Sequence, residues 1–286
     1  MIEPTDLAKD PLNSDLHWHF ALQCCARGDF ALAYAEFRTA ATLGAEVDQE
    51  RAATAEATLS RLPGLDFMNH NSYFRFHTLS TKLRSFSKRE PCSVLDIGGG
   101  RGELAQFLPE VRYCLAEPAF NGISGLDLPF DDRSFDYVLS CHVLEHIELE
   151  KRDAFLDQMW SKASRGMLLL NPFEVPGTHV EERLKLSIDI TDSQASKEHL
   201  KCKLPKVEAV RRWADSRGVT CTAEPKGTLT AAHALLFLEH VGQTHGLHAE
   251  LNRINQFYNT KYIDIMDSPR YPGAYLVSFL PVGHEH

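Results

Sequence analysis

Cys92-Ser93-Val94-Leu95-Asp96-Ile97-Gly98-Gly99-Gly100-Arg101-Gly102-Glu103-Leu104 is the stretch around which the chain is organised. It reads as a short buried strand (VLDI), a glycine-rich turn, and the start of an amphipathic helix running to about Leu108. A helix start offers free backbone N–H groups, so this strand–turn–helix order predicts a ligand at the turn.

Three ligands compete for that turn. A Walker loop needs Gly-Lys-Ser/Thr, and no lysine is present. A dinucleotide fold formally finds Gly-x-Gly-x-x-Gly/Ala at Gly100, Gly102 and Ala105. However, the Asp96 carboxylate beside the helix N-terminus would repel a pyrophosphate. S-adenosylmethionine has no phosphate and carries an ammonium and a sulfonium, for which a nearby carboxylate is favourable. Glu117 follows at the end of a second predicted strand, 117 − 96 = 21 residues on. There it can accept hydrogen bonds from both ribose hydroxyls, a feature shared with the dinucleotide fold.

Beyond the glycines the pattern stays strand–helix–strand. Val111 to Ala116 reads as a strand, Gly122 to Pro129 as a short one, and Phe135 to Cys141 as a third apolar run. A polar helix from about Glu150 to Ala163 precedes the strand Gly166 to Leu170. Near-continuous apolar strands alternating with helices predict a parallel sheet covered on both faces, with ligands at the carboxyl ends of the strands.

These residues resemble the class I S-adenosylmethionine-dependent methyltransferases. Asp96, Gly98, Gly100 and Gly102 match that family's Asp-x-Gly-x-Gly-x-Gly, and Leu128 to Val138 (LPFDDRSFDYV) resembles its LPF-x-D-x-SFD-x-V segment. Val143-Leu144-Glu145-His146-Ile147 is similar to the LEH stretch after the fourth strand. The resemblance covers about residues 93–172. It implies that Asp96, Gly98, Gly100 and Glu117 hold S-adenosylmethionine, with Asp127 and Leu128 by the adenine and Cys141 and His142 at the methionine end. It departs from the pattern between Glu117 and Phe135, where 17 residues (118 to 134) leave no room for a full helix.

His142-Val143-Leu144-Glu145-His146 also spells His-x-x-Glu-His, a zinc-peptidase pattern that needs all five residues within one helix. Here they come directly off an apolar strand, so no metal is expected, and a zinc metallohydrolase stands as the alternative. The plainer reading of Glu145 and His146 is that they satisfy backbone groups at a helix start.

Ahead of the glycine loop, helices are predicted from about Asn13 to Arg27, from Phe30 to Leu43 and from Val47 to Leu62, punctuated by Gly28, Gly44 and Pro63-Gly64. The spacing of Phe20, Ala21, Gly28, Phe30, Ala33, Phe37 and Ala40 resembles a single tetratricopeptide repeat. About three repeats are needed for a continuous solenoid core, so a hairpin packed on the main domain, on a second copy or on a protein partner is expected. Residues 67–91 follow as a connector and helix in which Tyr73 or Arg75 could close over a ligand.

Residues 173–204 and 229–268 read as substrate-shaping or lid insertions within a domain of residues 67–286, preceded by a helical cap of residues 1–66. Glu198-His199-Leu200 with Lys203-Leu204-Pro205, Tyr258-Asn259 and Pro269-Arg270-Tyr271 resemble features of methyltransferases near surface-polysaccharide and glycosyltransferase genes. Between the insertions come an amphipathic helix, Val207 to Arg217, and a strand, Val219 to Ala223. The last strand, Ala274 to Leu280, resembles the antiparallel one that ends the fold.

At 286 residues, 43% apolar and 24% charged, the composition is that of a globular protein, and the net charge of −9 argues against nucleic acid or anionic membrane as partner. No signal peptide or membrane span is read, so a cytoplasmic protein is expected. Its 7 cysteines form no Cys-x-x-Cys pair, and its 14 histidines are too scattered to imply a metal.

The expectation is an α/β protein with a Rossmann-like methyltransferase sheet, mostly parallel with its last strand antiparallel, and an N-terminal α-helical subdomain. Its expected activity is methyl transfer from S-adenosylmethionine to a small-molecule or glycan hydroxyl, with His142 or His199 as base. A non-catalytic S-adenosylmethionine-binding scaffold is the remaining reading.

Overall fold

Six of the apolar runs pair into one sheet. In the computed structural model, which describes residues 2–263, 267–268 and 270–282, they are β1 (Ser93–Ile97), β2 (Arg112–Ala116), β3 (Phe135–Cys141), β4 (Ala163–Asn171), β5 (Val219–Lys226) and β6 (Ala274–Pro281). The spatial order is β2-β1-β3-β4-β6-β5. β1 pairs in parallel with β2 and β3, and β3 with β4. β6 is antiparallel to both β4 and β5, so it alone runs against the others. This is the α/β, Rossmann-like sheet expected, with its last strand reversed.

All the strands but the edge strand β5 are buried on both faces over most of their length, as their apolar runs require. Val94, Tyr113, Leu115 and Leu139 face one core with α2 (Ser14–Ala26), α3 (Phe30–Thr42) and α5 (His70–Ser87). Leu95, Ile97, Cys114 and Val138 face a second core with α6 (Arg152–Lys162) and α9 (Val207–Ser216). The N-terminal hairpin α2–α3 thus shares its core with the sheet. Asn13 caps α2 through Leu16 N–H at 3.1 Å, and Gly28 turns the chain at φ 79°. α1 (Pro4–Lys9) and α4 (Gln49–Leu59) flank the hairpin.

Two expectations fail at the outer edge. The helix predicted after the glycines is a five-residue 3-10 turn, Glu103–Phe107. Pro109 pushes Leu108 out of helical geometry (φ −129°, ψ 52°), and too few residues remain for an α-helix. The short strand predicted over 122–129 is an irregular segment with one isolated bridge, Ser124 to Asp127. The Asn121 side chain diverts it, accepting from Glu117 N–H at 2.9 Å and Ile123 N–H at 3.3 Å.

β2 is left as an edge strand. α3 covers it: Thr39 Oγ1 accepts from Leu115 N–H and the Thr42 hydroxyl donates to the Tyr113 carbonyl, both at 2.9 Å. An edge bonded to helix side chains offers no template for another strand.

Residues 173–204 contain two helices that their polarity concealed, α7 (Val180–Thr191) and α8 (Gln194–Cys202). α10 (Leu229–Thr244) and α11 (His248–Lys261) lie between β5 and β6. Among the described residues no helix is long and apolar enough to cross a membrane. The expected Pro269 feature and the terminal His284-Glu285-His286 lie outside the described residues.

Candidate active site

The carboxyl ends of β1, β2 and β3 bring the glycine loop, Glu117 and His142 to one side of the sheet. Asp96, last but one in β1, is opposite Leu115 and Leu139 and fully buried. Its Oδ2 accepts from the Tyr113 hydroxyl at 2.6 Å, while Oδ1 has no hydrogen-bond partner among the described residues. Burial pushes its carboxyl up to about 7, opposed by the Tyr113 hydrogen bond and reinforced by the charge of Glu117.

The glycines of the loop do different jobs. Gly98 (φ 70°) abuts Val143, whose side chain a Cβ there would overlap, so the loop and the HVLEH stretch are packed together. Gly102 (φ 70°) lies equally close to Ala35 of α3. Gly100 (φ 57°) faces open space: apart from its chain neighbours, no atom of the described residues lies within 4 Å of where a Cβ would stand. Its N–H donates to Glu117 Oε2 at 3.0 Å, and Ala119 N–H to Oε1 at 3.0 Å. Each carboxylate oxygen keeps a second lone pair for a ligand.

Two expected adenine residues separate. Asp127 is exposed, whereas Leu128 is 6% exposed and packs in the core with α6. Cys141 is half-buried, and burial pushes its thiol up to about 12.

His142 follows β3 in the left-handed region (φ 58°), its N–H bonded to the Leu170 carbonyl at 2.8 Å. This turn aims the ring into a cavity of about 210 Å³ that His199 also lines. Burial, then the charge of Arg75, pulls the His142 imidazole down to about 4. Burial also lowers His199.

The cavity walls come from α5, α7, α8 and α10 and are mostly apolar, including Phe74, Phe173, Leu184 and Leu235. Arg75 and Arg183 bring positive charge, and no Asp or Glu is among the lining residues described. Arg75 Nε is held by the Asn71 carbonyl at 2.9 Å, and Arg183 Nη1 lies 3.3 Å from His233 Nε2. His70, buried at the start of α5, is tied to α11 through Nδ1 and Asn259 Oδ1 at 2.7 Å, which fixes where that wall begins. Tyr73 instead stacks against His77 and packs edge-on to Phe107.

Sequence reasoning missed Arg183 and His233, which lie within polar or small-residue runs and show no motif. It also undervalued Glu145. Residues 142–146 share no helix, since only Leu144–His146 form a 3-10 turn, and the geometry of the peptidase motif is absent. The carboxylate is nevertheless fully buried, with Oε2 accepting from Asn171 Nδ2. Burial would raise its pKa, but the imidazoles of His142, His199 and His146 hold it below the ordinary range.

A family model described as "Methyltransferase domain" matches residues 71–224, more than half of the chain. No curated protein matches. Among solved structures, the YcgJ protein of Bacillus subtilis is similar at 13% identity and TM-score 0.43, covering 72% of this chain and 98% of that one. Phosphoethanolamine N-methyltransferase 2 of Haemonchus contortus, solved with S-adenosyl-L-methionine, is similar at 14% identity and TM-score 0.48, covering 71% and 52%. A SAM-dependent methyltransferase of Archaeoglobus fulgidus is similar at 16% identity and TM-score 0.42, covering 72% and 94%.

Proposed function

The chain belongs to the methyltransferase-domain family, and we propose that it transfers the methyl group of S-adenosylmethionine to a hydroxyl of a small molecule or glycan bearing an anionic group. The observation that carries this reading is the position of His142. It stands where the β3 end, the glycine loop and the cavity meet, so donor and acceptor can be brought together beside one imidazole.

The residues present fit the cofactor. Asp96 has a buried carboxylate oxygen without a partner, Gly100 is open, and Glu117 stands half-buried at the end of β2 with lone pairs to spare. Gly98 and Gly100 let the loop turn, while Cys141 and His142 border the methionine end. Bound S-adenosylmethionine would supply an electrophilic methyl carbon on a sulfonium, with a neutral thioether as the leaving group.

The protein's part is alignment, exclusion of water and removal of one proton. His142 is placed to take the hydroxyl proton. Arg75 and Arg183 supply the charge that would orient an anionic acceptor in an otherwise apolar cavity. The N-terminal helices act in this reading as the cover of β2, with residues 173–204 and 229–268 as the acceptor-shaping insertions. Membership of a glycan-linked subgroup would agree with a sugar hydroxyl.

The test is calorimetric titration of the full chain with S-adenosylhomocysteine, repeated on Glu117→Ala. Binding weakened at least about tenfold by the substitution is expected, and absent binding or binding indifferent to it overturns the reading. Labelled methyl transfer into a panel of anionic hydroxyl compounds would then name the acceptor. There His142→Ala should lower kcat by about 10²-fold or more.

A further inference from the structure

Beside the cavity, two imidazoles and a carboxylate converge from different parts of the chain. Glu145 and His146 come from the 3-10 turn after β3, and His199 from α8. His146 Nε2 and His199 Nε2 are 3.3 Å apart, and His199 Nε2 is 3.8 Å from Glu145 Oε1. One oxygen or nitrogen of each of the three residues lies within 4.8 Å of the others.

We propose that Glu145, His146 and His199 bind a divalent transition-metal ion of the zinc type, and that its open position takes an oxygen of the methyl acceptor. The ion-binding part stands by itself, whereas the acceptor part rests on the methyltransferase reading above.

Four observations support the site. First, two imidazole nitrogens bound to one tetrahedral ion at about 2 Å lie about 3.3 Å apart, which is the separation here. Second, Glu145 Oε1 is fully buried and has no well-aligned hydrogen bond among the described residues, its neighbours being the ion-paired His142 Nδ1 at 3.2 Å and His199 Nε2 at 3.8 Å. A polar atom in that condition is costly unless something else satisfies it.

Third, outer partners orient the ligands. His146 Nδ1 is 2.7 Å from Glu198 Oε2, so the ring donates there and its Nε2 presents a lone pair. The other Glu145 oxygen is held by Asn171. Fourth, the turn is fastened to α8. Arg152 reaches the Ile147 carbonyl at 3.0 Å and the Cys202 carbonyl at 2.9 Å, which fixes His146 relative to His199.

Two neutral imidazoles and one carboxylate suit zinc, cobalt or manganese better than magnesium, and three protein ligands leave a position free. The ligand set also differs from that of His-x-x-Glu-His, because His199 takes the part which that motif gives to its first histidine. The competing arrangement has no metal, with one imidazole N–H donating to the other ring.

The experiment titrates the full chain with Zn2+ and records the visible spectrum of the Co2+-loaded protein. S-adenosylhomocysteine affinity and thermal unfolding are measured in parallel. One equivalent of Zn2+ is expected, with a Co2+ spectrum of low-symmetry nitrogen and oxygen coordination and a raised Tm. His146→Ala and His199→Ala should each weaken Zn2+ binding at least about 100-fold, and Glu198→Gln about tenfold.

Should one alanine variant fail to fold, Glu198→Gln and the other carry the test. No binding of Zn2+ at 1:1, or binding unmoved by all three substitutions, overturns the proposal and leaves a hydrogen-bonded histidine pair. Retained S-adenosylhomocysteine binding in that case leaves the methyltransferase reading standing. Metal binding without it preserves the metal site and removes the acceptor's role.

Discussion

Thr39 on α3 accepts the backbone N–H of Leu115 in β2 at 2.9 Å, and neither residue reaches solvent. A helix side chain therefore stands where the next strand of the sheet would otherwise pair. Thr39→Ala leaves a buried donor unsatisfied, which costs about 1–3 kcal/mol. Urea unfolding should show the midpoint falling by that free energy divided by the slope, with the slope itself unchanged, because the surface exposed on unfolding is the same.

Behind that contact, the buried His17 ring places Nδ1 2.5 Å from Glu36 Oε2 and Nε2 3.0 Å from the Pro11 carbonyl. A carbonyl only accepts, so Nε2 donates, and below the raised pKa of His17 Nδ1 is protonated as well and faces the Glu36 carboxyl. Burial pulls the His17 pKa down, but the hydrogen bond and charge of Glu36, helped by Pro11 and Asp10, outweigh it and hold it above the ordinary value. A raised histidine stabilises the fold fully below its unfolded value of about 6.5 and loses that contribution as pH climbs through the folded value. At pH 6, His17→Leu should cost about 3 kcal/mol. The gap between variant and wild type should narrow by pH 9 in urea unfolding, and a gap that widens would contradict the charged pair.

The strands were legible because both of their faces are buried, so that Val94 to Ile97, Phe135 to Cys141 and Leu168 to Leu170 are apolar almost without interruption. Elsewhere local patterns compete with partners distant in the chain, and the distant partners win. Glu103 to Phe107 has a helical composition, yet Pro109 cuts it short and α3 already occupies the ground beside it. Gly122 to Pro129 has strand-like apolar residues, but Asn121 captures the backbone first. In the candidate site, Asp96 stands out by its charge beside the glycine turn, Glu117 by its spacing from it, and His142 through the methyltransferase resemblance. Arg183 with His233, and His199 with His146, do not stand out, because the first pair forms where α7 meets α10 and the second where α8 meets the turn after β3, and neither leaves a local signature.

Asp96 pairs a structural cost with a proposed binding role. Its folded pKa of about 7 lies above the ordinary value, so folding takes up a proton. Stability is therefore lost as pH rises from about 4 to about 7 and is level above that. Asp96→Asn keeps an acceptor for the Tyr113 hydroxyl and removes the buried charge. It should be more stable than wild type at pH 8, on the order of 1–4 kcal/mol, and similar at pH 4. Its affinity for S-adenosylhomocysteine should nonetheless fall at least about tenfold, a stability–function trade-off readable by thermal unfolding beside calorimetry.

Gly100 and Gly102 share a left-handed backbone and differ in what surrounds them. In Gly100→Ala the new methyl enters open space, so only the backbone penalty of about 1–2 kcal/mol applies. In Gly102→Ala it also meets the Ala35 side chain, and either α3 or the loop must move. That substitution should cost several kcal/mol more in urea unfolding. Ala35→Gly clears the obstacle at about 1 kcal/mol of helix propensity, so the Ala35→Gly, Gly102→Ala double variant should be more stable than Gly102→Ala alone. A strictly additive double variant would mean that α3 does not press on the loop. A coupling of 1 kcal/mol or more would tie the N-terminal hairpin energetically to the glycine turn.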